Sequence, residues 1–346
     1  MNTKHQYSQA NNQVVIALGD PAGIGIEITL KALGRPDLPQ DMQPLLVGCK
    51  RNVELIYSQL QAQGIKNLAN PKELKIIDIP LHEKLKEGEP TKKTGEASFH
   101  WLTKAAEIVL KKEARALITA PIAKHAWQDA GYDYPGQTER LAEIAGIDGP
   151  SMLFTAKSPH SSWRLNTLLA TTHIPLADVP NSLSKELINS KLNSLLSFCQ
   201  KFKPNPKLAI AGLNPHAGEK GNIGSEELEW LIPLLDKWRA KHPQIKLEGP
   251  MPPDTCWISS AKSWNYGPDD RCPDGILALY HDQGLIPIKI IAFDYSVNTT
   301  LGLPFIRTSP DHGTGFDIAG KGIARATSMF SALQTAWELS KDNCTN

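Results

Sequence analysis

The sequence predicts an α/β protein of two α/β/α domains with mostly parallel sheets. Short apolar runs alternate with longer amphipathic ones along most of the 346 residues. That is the pattern of strands buried on both faces by intervening helices. The length exceeds what one core of ordinary size fills, so two domains are expected. Turn residues gather at 131–136 (GYDYPG), a crossing point from one domain to the other. The first domain is therefore read as 1–130 joined by about 305–346, and the second as 131–304.

The elements follow in order. VVIAL, PLLVG, LKIIDI and ALITA read as buried strands, with GEASFHWLTKAAEIVLKKE as an amphipathic helix among them. After Gly149 come the strands SMLFTA, RLNTLLATTHIPL, KLAIAGLNP and GILALYHD. Helical LSKELINSKLNSLLSFCQKF and SEELEWLIPLLDKWRAK separate them, and a last helix over about 323–341 is expected to pack back on the first domain. No internal repeat or low-complexity segment interrupts the pattern.

Composition excludes several classes of function. With 37 basic and 36 acidic residues the formal net charge is +1, so no general attraction to nucleic acid or an anionic membrane exists. Any anionic ligand must be held by locally placed cations. No apolar stretch reaches membrane-spanning length, and the opening MNTKHQYSQANNQ lacks the apolar core of a signal peptide. Cys49, Cys199, Cys256, Cys272 and Cys344 are scattered without a CxxC pair, which suits reduced thiols in a cytoplasmic protein.

In VVIALGDPAGIGIEITLKAL a strand leads into glycines and then a helix, the outline of a phosphate-holding loop. Asp20, Pro21 and Ala22 stand where a tight glycine turn would be, so a dinucleotide fingerprint is not expected. The stretch reads instead as an entry turn that shapes a site, with Asp20 and Glu27 either lining it or capping the turn.

Ligands of such folds sit beyond the carboxyl ends of the strands. Three strand ends finish in histidine: LLATTHIPL at His173, LAIAGLNPHAGE at His216 and LALYHDQG at His281. Three imidazoles so placed could share one divalent ion, and nitrogen ligands suit zinc, cobalt, nickel or manganese better than magnesium. Asn214, Glu219, Asp282 and Gln283 flank them as possible hydrogen-bond partners. On position alone, each histidine is more often a simple hydrogen-bonded residue. Lys289, Asn298 and Arg307 form a candidate anion-holding set, a point charge and a planar fork with an amide between. Ordinary surface cations are the competing reading. Asp254, in the proline-stiffened GPMPPDT, could take a proton or orient a water, or be a plain turn aspartate.

Together LATTHIPL, GLNPHAGE, GPMPPDT, LYHDQGLIPIK and NTTLGLPFIRTSPDHGTGFDIAGKG, with GDPAGIGIE and TAPIAK, resemble the 4-hydroxythreonine-4-phosphate dehydrogenase family of pyridoxal phosphate biosynthesis. The resemblance runs from about Ile16 to Ala324. It implies a homodimer of two-domain subunits, with an active site in the interdomain cleft completed by the partner chain. His173, His216 and His281 match the metal ligands, with zinc favoured and cobalt, magnesium or manganese as alternatives. Lys289, Asn298 and Arg307 match the substrate-binding residues, and Asp254 matches an aspartate near the metal. The family's GHTE motif reads PGQTE here, which puts Gln137 at the histidine position, followed by Thr138. Glutamine donates and accepts hydrogen bonds but carries no charge, so it suits positioning of substrate rather than proton transfer.

GDPAGIGIE is also similar to the GDGIGPE entry turn of isopropylmalate and isocitrate dehydrogenases. SPDHGTGFDIAGKGIA is similar to their cofactor-side PxHGSAPDIAGKGIA segment. This kinship implies an isopropylmalate-dehydrogenase-like fold and makes His312, Gly313, Thr314 and Asp317 candidates for binding NAD or NADP; docking of the C-terminal helix is the competing role. The implied reaction is metal-dependent, NAD-linked oxidation of 4-phosphooxy-L-threonine to a β-keto acid that decarboxylates to 3-amino-2-oxopropyl phosphate. Asp254 and Lys289 are the candidates for catalytic proton handling. Two alternatives stand beside it: the same chemistry on 4-phospho-D-threonate or D-erythronate, and a three-histidine hydrolase or lyase without NAD. The second leaves HGTGFDIAGKG without a role.

Overall fold

Strands form on the apolar runs in the computed structural model of the chain, which describes residues 12–341. His5, Cys344 and most of the polar N-terminal stretch lie outside the described residues. In chain order the first unit begins with β1 (Gln13–Ala17), α1 (Gly25–Leu33), β2 (Gln43–Gly48), α2 (Lys50–Ala62), β3 (Lys75–Asp78) and α3 (Lys92–Leu110). It continues with β4 (Ala116–Thr119), α4 (Lys124–Asp129) and α5 (Gln137–Ala145). The second unit holds β5 (Ser151–Lys157), β6 (Arg164–Leu169), α6 (Val179–Ser182), α7 (Lys185–Gln200), β7 (Leu208–Ala211) and α8 (Ile232–Lys241). It ends with β8 (Leu247–Met251), α9 (Ile258–Tyr266), β9 (Gly275–Ala278) and α10 (His281–Ala292). The chain then returns to the first unit through β10 (Val297–Leu301), β11 (Ile306–Pro310) and α11 (Thr327–Lys341).

The strands of the first unit lie in the order β3-β2-β1-β4-β11-β10, all neighbours parallel except the antiparallel pair β10 and β11. Val14, Val15 and Ile16 are all completely buried. Successive strand side chains point to opposite faces, so both faces of this sheet are covered. Strands β1 to β3 spread one way and β4 lies the other way. The carboxyl ends of β1 and β4 thus flank the point where strand order reverses, the usual place for a ligand crevice. Helix α3 starts at a reciprocal cap: Thr91 Oγ1 accepts from the Thr94 amide at 3.2 Å, and Thr94 Oγ1 accepts from the Thr91 amide at 2.9 Å.

The second unit orders its strands β5-β6-β9-β7-β8, parallel except for β5 with β6. Leu208, Ala209 and Ile210 are again all fully buried. A separate core gathers Phe154, Trp163, Trp257, Trp264 and Ile276.

The unit boundaries fall at Pro150/Ser151 and Ser296/Val297, later than 130/131 and earlier than 304/305. Helix α5 buries Leu141 in the first core, together with Trp127, and β10 pairs antiparallel with β11 of the same unit. Gln137, Thr138 and Asn298 consequently belong to the first unit.

Candidate active site

In the second unit β6, β9 and β7 are adjacent and parallel, and one candidate histidine lies just past the carboxyl end of each. The His173 and His281 rings come within 5.5 Å, centroid to centroid. His281 Nδ1 meets Asp282 Oδ1 at 2.7 Å. A carboxylate only accepts, so the proton sits on Nδ1 and Nε2 is left as the ligand nitrogen. This spacing and tautomer fit two ligands of one ion with bonds of about 2.0–2.1 Å. His216 stands apart from the pair. It is exposed on the loop after β7, 3.8 Å from Glu219 Oε1. Among the described residues no three His, Cys, Asp or Glu side chains form a group able to hold a metal.

Of the other flanking residues, Gln283 is buried beneath this region. Its Oε1 accepts from the Leu279 amide at 2.7 Å, and its Nε2 donates to Gly212 O at 2.7 Å. It therefore ties the ends of β9 and β7 together. Lys289 is half-buried on α10, its ammonium 5.3 Å from the Phe293 ring centroid. Asp254 is exposed on the turn before α9.

The first unit carries the remaining substrate candidates on α5, β10 and β11. Arg307 is 3% exposed. Its Nε and one terminal nitrogen donate to Thr119 Oγ1 at 3.2 and 2.8 Å, and the other terminal nitrogen donates to Thr300 Oγ1 at 3.0 Å. These partners are neutral hydroxyls, and Glu139 acts on the guanidinium only through the longer-range field. Burial pushes the Arg307 pKa down to about 10, so it remains a cation at neutral pH. Gln137 begins α5, and its Nε2 donates to Ala120 O at 3.0 Å, just past β4. That carbonyl can only accept, so the amide orientation is fixed and Gln137 Oε1, buried and without a hydrogen-bond partner, is the polar atom left over. Thr138 follows on α5, half-buried, and Asn298 pairs with Ser309 across the hairpin with its Oδ1 likewise unsatisfied.

The glycine turn of GDPAGIGIE is filled by the chain itself. The Ile24 amide, at the start of α1, donates to Thr314 O at 2.9 Å. A Cβ at Gly23 would stand 2.7 Å from that same oxygen, so only glycine allows the approach. Glu27 Oε1 accepts from the Ala324 amide at 3.0 Å and from Lys31 Nζ at 2.7 Å. Lys31 donates onward to Gly322 O and Ala324 O at 2.8 and 2.9 Å. The segment holding His312, Gly313, Thr314 and Asp317 is thereby docked on α1. Within it Gly313 faces open space, Asp317 is exposed, and His312 Nδ1 lies 3.0 Å from Gly313 O.

Asp20 is completely buried at the strand-order reversal. Its Oδ1 accepts from the Ala22 amide at 2.9 Å and its Oδ2 from Thr94 Oγ1 at 3.3 Å, while its own amide donates to Pro121 O at 2.9 Å. Desolvation dominates these bonds and raises its pKa to about 6. The capping role weighed for Asp20 is thus present, but the perturbed acidity was not readable. Thr119, Thr300 and Glu227 also escaped the sequence reading. Threonines in strands look like ordinary β-formers, and Glu227 in SEELEW looks like a solvated helix acid.

The chain matches the family described as "Pyridoxal phosphate biosynthetic protein PdxA" over residues 38–336. It is 56% identical over 330 residues to the 4-hydroxythreonine-4-phosphate dehydrogenase of Synechococcus sp. (strain RCC307), covering 94% of this chain and 99% of that one. The enzyme of the same name from Synechocystis sp. is 49% identical over 338 residues, covering 96% and 97%. The crystal structure of 4-hydroxythreonine-4-phosphate dehydrogenase from Klebsiella pneumoniae superposes with a TM-score of 0.78 at 32% identity, covering 95% and 98%.

Proposed function

The chain belongs to the PdxA family of pyridoxal phosphate biosynthetic proteins, and on that premise we propose that it oxidises 4-phosphooxy-L-threonine at its secondary alcohol, with NAD or NADP as hydride acceptor. The product is a β-keto acid that loses carbon dioxide to give 3-amino-2-oxopropyl phosphate. The observation that carries the metal-dependent reading is the placement of His173, His281 and His216 past three adjacent parallel strands, with two of the rings already 5.5 Å apart. A divalent ion bound there, zinc before cobalt, manganese or magnesium, would supply Lewis acidity toward the reacting alcohol and keto oxygens.

The chain's own residues bind and orient. Arg307 offers a buried charge and a rigid fork to the substrate's phosphate or carboxylate, and its placement on hydroxyls fixes the fork before substrate arrives. Lys289 adds a second cation, and Thr138 and Asn298 add neutral hydrogen-bonding groups. Gln137 commits one amide N–H to Ala120 O, and its unsatisfied Oε1 is an acceptor suited to a substrate hydroxyl or ammonium. The alcohol proton passes to Asp254 or Lys289. The 312–317 segment is the cofactor side, where exposed Gly313 and Asp317 leave backbone and carboxylate within reach of a ribose.

Ile286, Ile290 and Phe293 form an exposed apolar face on α10 beside Lys289, which supports a homodimer that shares its site. No described helix is long and apolar enough to cross a membrane. Cys49, Cys199, Cys256 and Cys272 are free thiols, and burial pushes Cys256 up to about 12. Unreactive, unpaired thiols favour the cytoplasm.

The test is NADH or NADPH formation by the metal-loaded enzyme on 4-phosphooxy-L-threonine, 4-phospho-D-threonate and D-erythronate side by side, repeated after chelation. Turnover of the first substrate, abolished by chelator, is the expected result. Neither NADH nor NADPH from any of the three overturns the reading. Gln137→His should change kcat/KM by less than about tenfold if the position only orients substrate.

A further inference from the structure

Arg307 is a cation sealed inside the first unit with no carboxylate on its donors. Three of its N–H groups go to the hydroxyls of Thr119 and Thr300. Neutral hydroxyls replace water but not charge, and a buried charge gains most from an opposite one. Its other N–H groups are open to an anion.

More of the site lies on the turn that follows β4. Thr119, which holds the guanidinium, ends that strand, and Lys124 opens α4 just after it. Between them Ala120 O takes the Gln137 amide at 3.0 Å, which draws the start of α5 against the same turn. Gly136, the buried cap residue of α5, has no side chain, so the first amides of the helix lack a side-chain cap. A Cβ built on Gly136 would meet two side chains: Glu139, with Oε2 at 3.3 Å, and Lys124, with Cε at 3.7 Å and Nζ at 4.0 Å. Lys124 is exposed and makes no hydrogen bond or ion pair among the described residues. Glu139 is also near Arg307, because its carboxylate acts on the guanidinium through its field. Two cations and one carboxylate therefore gather where the end of β4 meets α5, and the balance is positive.

The ligand class follows from shape as well as charge. A carboxylate has two oxygens in one plane, and a guanidinium fork uses both. A phosphate adds a third oxygen out of that plane, so it can meet the fork and a separate ammonium together. Lysine suits the second contact because it is a point charge on a long stem.

We propose that Lys124 is a further substrate-binding residue, the second cation of a phosphate site built around Arg307 and the start of α5. This rests on the reading above, in which the substrate is a phosphorylated hydroxy acid, and assigns its phosphate to the first unit.

Inorganic phosphate is the probe, titrated calorimetrically into the full-length protein as wild type, K124A, K124R and K66A. Loss of one charge-assisted contact should weaken phosphate binding about 10–100-fold in K124A. K124R keeps the charge and should stay within about tenfold of wild type. K66A removes another exposed lysine of the same unit and should change nothing. In steady state K124A should raise KM for 4-phosphooxy-L-threonine by a similar factor and leave KM for NAD or NADP unchanged. Wild-type phosphate affinity in K124A overturns the proposal. So does an equal loss in K66A, which would make the effect one of overall charge. A rise confined to the dinucleotide KM overturns it too, because the phosphate held would be the cofactor's. A wild type that binds no phosphate removes the site altogether. If no substrate is oxidised while K124A alone loses phosphate, the dehydrogenase reading falls and the anion site stands. Wild-type KM in K124A with turnover intact removes this proposal alone.

Discussion

Arg307 in the first unit is 3% exposed with its guanidinium resting on Thr119 and Thr300, whereas the His216 side chain in the second is 63% exposed on a left-handed turn. The candidate anion-binding residue sits inside a sheet, where Thr119 and Thr300 take three of its N–H bonds and leave others free to reach an anion. The metal candidates sit beyond a sheet, on connections whose geometry the strands do not set. The first candidate is therefore placed by the folding of a sheet, while the second depends on the connections beyond one. Substitutions should act differently in the two halves: activity and fold are intertwined in the first, and separable in the second.

The largest effect is expected at Arg307. Arg307→Leu should lower kcat/KM by about 10²–10³, the loss typical of one preorganised charge-stabilising donor, roughly 3–4 kcal/mol. Arg307→Lys should recover part of it, since charge remains but the fork is gone. Steady-state rates for both variants decide the matter, and wild-type kcat/KM in Arg307→Leu would remove Arg307 from the site.

A smaller effect, on stability alone, is expected at Asp20. Burial raises its pKa from 3.8 to about 6. The folded chain thus holds this proton more tightly than the unfolded one. The associated stability is fully present below pH 3.8 and lost as pH rises through 6. Asp20→Asn keeps an acceptor for the Ala22 amide without the charge. Its stability relative to wild type should therefore rise between about pH 4 and pH 6 and level off above, by about 1–3 kcal/mol. Parallel urea melts across this range would show it, and a pH-independent difference would contradict the buried, titrating carboxyl.

The smallest effect probes the second half. His216→Gly should relieve the left-handed strain and leave the metal-free protein unchanged or more stable by up to about 1 kcal/mol, while Co²⁺ affinity falls. A thermal melt of the metal-free protein that drops by several degrees would instead make His216 a structural residue and blur the contrast between the two halves.

Much of this was legible before any coordinates. Uninterrupted apolar runs such as VVIAL can only be strands covered on both faces, and each of the quoted runs became one. A histidine after an apolar run must lie past a carboxyl end, so the positions of His173, His216 and His281 relative to the sheet followed from pattern alone. Motif order was enough to indicate the family. Other features were not legible because they depend on partners distant in sequence. LEGPM carries the glycine and proline of a turn, yet β8 pairs with β7 because the parallel register of the second unit draws it in. The hairpin of β10 with β11 moved Asn298 into the first unit.

By itself the sequence determined the strands, the alternation with helices and the chemical types of the site residues, because hydrophobic periodicity and side-chain identity are local properties. Only the tertiary structure decided which groups are spent and which are left over. Thr314 O occupies the start of α1 where a phosphate might have been sought, and Ala120 O takes the Gln137 amide. Desolvation reshapes Asp20, and Glu227 leaves the surface role its helix pattern suggested to accept from the Leu213 and Asn214 amides. Each of these outcomes depends on burial and on a hydrogen-bond partner supplied by another part of the fold.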